Sequence, residues 1–150
     1  MIASGISNAT MHTALPLALL LAAFAAVADP SPQALDPALA RWFAPPSLPG
    51  LRAAWLAGDE TLPGPYVLRV KLAAGGRVPP HTHPDRRYTT VLSGTLHVGF
   101  GDTMDEAAAI AVPAGMLYEA PAGVPHWVWA REGDVEYQES GSGPTATRMR

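Results

Sequence analysis

The 150-residue sequence contains no cysteine. That absence removes disulfides, thiol nucleophiles and thiolate-ligated zinc or iron–sulfur sites, so any metal must be held by nitrogen and oxygen. Charge is scarce as well. Asp, Glu, Lys and Arg make up 15% of the chain, too little for a charge-driven disordered polymer. A net charge of −3 leaves no basic footprint for nucleic acid. Long apolar runs are also lacking: the stretch LPLALLLAAFAAV at residues 15–27 is short for a membrane span. Proline and glycine are abundant instead, at 16 and 14 residues, against an average usage of about 12% for the two together. Both weaken helices, and the glycines show no collagen period. This composition fits short strands joined by tight turns.

The apolar run has signal-peptide length. Ala26-Val27-Ala28 follows the A-x-A cleavage pattern and precedes Asp29-Pro30. Residues 1–28 are therefore expected to be a signal peptide cleaved after Ala28. The mature chain would be periplasmic or secreted, with no stable membrane span after cleavage. No Lys or Arg precedes the run, and Met11 offers a second start that makes a compact signal. A short anchor or a buried helix is the alternative reading.

Residues 29–63 read as an N-terminal arm, Pro-rich and mostly extended. Asp36-Pro37 resembles an N-cap followed by proline at the first helical position, which predicts a short helix from Ala38 to Phe43. From Tyr66 the pattern turns to strands. Tyr66–Leu72 alternates, with Leu68, Val70 and Leu72 on one face. Tyr88–Ser93, Thr95–Phe100, Met116–Ala120, His126–Ala130 and Val135–Glu139 follow, separated by turns. Ala107–Val112 suits strand or short helix. The Gly, Ser, Pro and Thr of residues 141–150 predict a loose tail. The reading is all-β, as a sandwich or a small barrel.

His81 and His83 form an H-x-H pair stiffened by Pro79-Pro80 and Pro84. On a strand their rings share a face and can converge on one ion. Two half-buried structural histidines are the alternative. His126 follows the turn Pro121-Ala122-Gly123-Val124-Pro125, on a segment where Trp127 and Trp129 take the other face. It can meet the pair only if the sheet curls.

Two segments resemble the signature motifs of the cupin superfamily. Gly75, His81, His83 and Gly94 fit G-x5-H-x-H-x3,4-E-x6-G, and Gly115, Pro121, Gly123 and His126 fit G-x5-P-x-G-x2-H-x3-N. The likeness spans residues 64–140 and is nearest to small exported single-domain cupins. It implies a small antiparallel jelly-roll β-barrel, preceded here by the arm with its short helix. It also implies a divalent metal, Fe, Mn, Ni or Zn, held by His81, His83 and His126, and a homodimer as one assembly.

The chain departs from the family pattern where a carboxylate ligand is expected. That slot holds Arg87, its neighbour is Arg86, and Ala130 stands at the Asn position. A guanidinium cannot ligate a cation. Three readings follow: a three-histidine site with open positions; a fourth ligand from Asp85, His97, Glu119, Gln138 or Tyr88; or a metal-free pocket where an arginine binds a carboxylate. Surface charge on a loop is the plainer reading of both arginines. Arg87, Tyr88 and Tyr118 are the pocket-lining candidates. Function divides into two classes. One is an exported barrel that binds a metal and a small-molecule ligand without assured turnover. The other is a metal-dependent dioxygenase, isomerase or lyase acting on a small oxygenated substrate. The fold alone does not choose between them.

Overall fold

The computed structural model describes residues 33–150; the expected signal peptide and its cleavage site lie outside them. Ten strands run as β1 Leu51–Ala57, β2 Gly64–Leu72, β3 Arg77–Thr82, β4 Arg87–Ser93, β5 Thr95–Phe100, β6 Ile110–Pro113, β7 Leu117–Ala120, β8 His126–Trp129, β9 Val135–Gly143 and β10 Arg148–Met149. They form two five-stranded sheets, ordered β1-β2-β9-β4-β7 and β10-β3-β8-β5-β6. Every named pairing is antiparallel. Because β2, β3, β4 and β5 alternate between sheets, as do β7, β8 and β9, the chain wraps the two sheets around one interior, giving the jelly-roll β-barrel. The alternating residues fill it: Leu68, Val70 and Leu72 of β2, Leu96 and Val98 of β5, and Val135 and Tyr137 of β9 are buried.

β5 follows its predicted bounds. Leu96 and Val98 are buried as the alternation requires, whereas Phe100 at the strand end is exposed. Trp127 is buried on the opposite face of β8, where the missing Cβ of Gly99 makes room for its indole. The ambiguous alanine segment divides: Glu106–Ala108 is a 3-10 turn and Ile110–Pro113 is β6.

Two expectations about the ends are corrected. Asp36 does cap a helical start with proline in the first turn, but the helix is only the 3-10 turn Pro37–Leu39. Ala40 is already extended, and Phe43 bridges to Ala53. The second half of the arm is strand β1, which pairs with β2 along its length. At the other end the tail is not loose. β9 runs on to Gly143 against β2, and β10 pairs with β3 through Arg148↔Thr82 and Met149↔His81.

A candidate metal centre facing an ion pair

β3 and β8 place the histidines. His81 and His126 are direct cross-strand partners. Along β8, His126 and Val128 are two apart, whereas their partners His81 and Val78 are three apart, and the register shifts between them. The shift falls at Pro79-Pro80, which have no N–H to offer the ladder. A regular strand would send Val78 and His81 to opposite faces; the irregularity turns both toward the interior. His83 lies just beyond the strand. All three histidines are buried, and their ligand atoms lie within 4.8 Å of one another. Ring centroids are separated by 4.3 Å for His81–His126, 4.9 Å for His81–His83 and 5.1 Å for His83–His126.

Each ring is oriented by a backbone carbonyl. The Nδ1–H of His81 donates to Pro79 O at 2.7 Å, that of His83 to Ala146 O at 2.9 Å, and that of His126 to Val124 O at 3.1 Å. Carbonyls only accept, so each Nδ1 carries the proton and each Nε2 keeps a bare lone pair. The His83 Nε2 is buried with no hydrogen-bond partner. Three oriented lone pairs, one of them orphaned, suit a divalent ion with imidazole affinity. Burial keeps the rings neutral. It lowers His81 to about 4, helped by the neighbouring His126, and His83 to about 2, helped by Arg87. His126 is lowered chiefly by burial.

The facing sheet carries charge. Arg87 of β4 is 3% exposed, so the surface reading of this residue is overturned. Its Nη1 donates to Glu139 Oε2 at 2.7 Å and its Nη2 to Thr145 Oγ1 at 2.8 Å, while Nε lies 3.7 Å from Asp85 Oδ1. Arg86 remains exposed, paired with Glu119 at 3.2 Å. Asp85 accepts from Tyr66 Oη at 2.6 Å and from Thr145 Oγ1. Gly141 permits this packing, because a Cβ there would strike Asp85 and Tyr66. Glu139 escaped the sequence reading. It follows Val135 and Tyr137 at the inward alternation of β9, and that parity was the available signal.

A cavity of about 290 Å³ separates the two groups. His81, His83, Arg87, Glu139 and Glu60 are among its polar lining residues, while Leu51, Ala53, Trp55, Val70, Val128 and Tyr137 supply much of the rest. Phe43 and Leu48 of the arm and Thr147 and Met149 of the tail also line it.

The fourth-ligand candidates lie elsewhere. Asp85 is committed to Tyr66 and Thr145. His97 pairs across from Trp129, on the sheet face opposite His126, and its Nε2 meets Glu132 at 2.7 Å. Glu119 is exposed on β7 with Arg86. Gln138 accepts from Arg69 at 3.0 Å, on the face opposite Glu139. Of the pocket-lining candidates, Arg87 lines the cavity. Tyr88 is 44% exposed. Tyr118 packs against the core, where burial raises its phenol above the ordinary range.

The family profile of the cupin domain matches residues 68–137. Germin-like protein 1-1 of Oryza sativa subsp. japonica is 37% identical over 90 residues, covering 59% of this chain and 37% of that protein. Germin-like protein subfamily 2 member 4 of Arabidopsis thaliana is 40% identical over 73 residues, covering 48% and 33%. The chain thus spans about a third of the length of these curated relatives. Among solved structures, the polyketide cyclase RemF from Streptomyces resistomycificus superposes with a TM-score of 0.66 at 14% identity, covering 79% of this chain and 85% of that one. KdgF from Halomonas sp. gives 0.61 at 19% identity, covering 75% and 94%. The E162A mutant of Bacillus subtilis oxalate decarboxylase OxdC gives 0.61 at 19%, covering 75% and 31%. At these identities the likeness is one of fold.

Proposed function

This chain belongs to the cupin superfamily, and we propose that it is an exported barrel that holds one divalent metal through His81, His83 and His126 and takes a small molecule in the adjoining cavity. The observation that carries the reading is the shared orientation of the three imidazoles. Each Nδ1–H is occupied by a carbonyl, which leaves Nε2 bare, and one ring nitrogen from each histidine lies within 4.8 Å of the others. Iron, manganese, nickel or zinc would suit this donor set. When bound, such an ion supplies a Lewis acid with open positions, since three neutral ligands leave its charge uncompensated. The chain's own residues do the rest. The carbonyls fix the rings, the apolar lining excludes water, and the ion pair of Arg87 and Glu139 borders the ligand. Export rests on the A-x-A pattern at Ala26–Ala28. Among the described residues no helix is long and apolar enough to cross a membrane.

A metal-dependent enzyme of the dioxygenase, isomerase or lyase class is the second reading. It is favoured by the placement of His81 and His83 on the cavity wall itself, where an ion would meet a ligand. Metal analysis of protein purified without a histidine tag tests the shared premise. We expect about one equivalent of metal that survives dialysis and is lost in His81→Ala. Absence of metal under every loading condition refutes both readings. Oxygen uptake and turnover with small phenols and keto acids then separate binder from enzyme.

A further inference from the structure

We propose that Glu139 sets the specificity of the cavity, selecting a neutral hydroxyl borne on an apolar body, an alcohol or a phenol, over a carboxylate of equal size. This rests on the reading that the cavity takes a small molecule.

Three observations converge on that residue. Glu139 is 7% exposed and lines the cavity beside His81 and His83. Its Oε2 is occupied by Arg87, whereas its Oε1 accepts no hydrogen bond from a described residue. A ligand O–H that enters the cavity supplies the missing donor as a charge-assisted bond. Second, the cavity offers no free cationic side chain among the described residues. Arg87, the guanidinium on its wall, lies between Glu139 and Asp85, and Glu60 adds a further carboxylate to the lining. An incoming carboxylate therefore meets a guanidinium whose two Nη groups already donate and whose free Nε is buried, with like charges next to it. Third, the remaining wall is mostly apolar, including Trp55, Val70, Val128 and Tyr137, which suits a ring or alkyl body.

A divalent ion on the histidines attracts anions on its own account. Glu139 still borders the ligand and acts in the opposite sense, so removing its charge shifts selectivity in the same direction with or without the ion.

The test is calorimetric binding of phenol and benzoate, which share a ring and differ in the head group. It uses the full chain, zinc-loaded and metal-free, as wild type and as Glu139→Gln. We expect phenol to bind the wild type, and the ratio of phenol to benzoate affinity to fall about tenfold or more in the variant. A ratio that stays constant or rises overturns the proposal, as does failure of phenol to bind wild type in both forms. If Glu139→Gln leaves Arg87 too poorly paired to fold, the double variant Arg87→Gln/Glu139→Gln has no orphaned guanidinium and, lacking the charged acceptor, must bind phenol more weakly than wild type. Failure of zinc to bind refutes the three-histidine reading only, because the metal-free comparison still decides this one.

Discussion

The two sheets face each other across the cavity with different kinds of polar chemistry. The β10-β3-β8-β5-β6 sheet presents imidazoles, two of them oriented by carbonyls only two residues upstream, Pro79 for His81 and Val124 for His126. The β1-β2-β9-β4-β7 sheet presents charges tied over long distances, Arg87 to Glu139 and to Thr145. Local ties of the first kind persist wherever the strand persists. Long-range ties of the second kind exist only when the whole barrel has closed. The imidazole side should therefore govern metal affinity, and the charged side stability and ligand choice.

That division can be broken in several ways, the strongest aimed at the imidazoles. His126→Ala removes one of three ligands and should lower zinc affinity on the order of a hundredfold or more, read by competition with a chromophoric chelator. Metal-free stability should change far less. Arg87→Met strands the buried carboxylate of Glu139 and should cost about 3 kcal/mol in urea unfolding, while the variant that folds still binds zinc. Acid acts on the imidazole side. The folded rings titrate below the 6.5 of an unfolded histidine, His81 near 4, so on acidification the unfolded chain takes up protons first. Metal-free stability should thus fall as pH drops from about 6.5 toward 4 and stay level above it; bound zinc should delay the fall. A flat thermal midpoint across that range would contradict the burial of the rings. Thr145→Val removes the hydroxyl shared by Arg87 and Asp85, at about 1–2 kcal/mol. His97→Gln should be the mildest, leaving zinc stoichiometry intact and changing stability by less than about 1 kcal/mol, since its Glu132 partner is exposed.

The same division explains what could be read from residues alone. The histidines were legible because their geometry is short-range: an H-x-H pair, rigid prolines and a turn before His126. The alternation of β2 and β5 was legible for the same reason. Strand β1 was not, because Ala53-Ala54 blurs the period and its pairing with β2 is a tertiary fact. Arg87 read as surface charge since its partners lie 52 and 58 residues away. Glu139 was missed although it continues the Val135, Tyr137 alternation, because a carboxylate at an inward position makes sense only once the opposing guanidinium is in place. The tail looked loose by composition, yet its backbone is held by Thr145 N–H to Glu60 O and Arg150 N–H to Pro80 O.

That tail has a consequence for the order of events during biosynthesis. His81 and His126 have their orienting carbonyls as soon as their own strands exist, but His83 waits for Ala146. From His126 to Ala146 synthesis adds about twenty residues, roughly one to four seconds at ordinary translation rates, during which the carbonyl that orients His83 does not yet exist. The third ring is locked only after Ala146 has emerged. Ion capture at full affinity then waits for the segment that carries Ala146, in whichever compartment β10 closes onto β3.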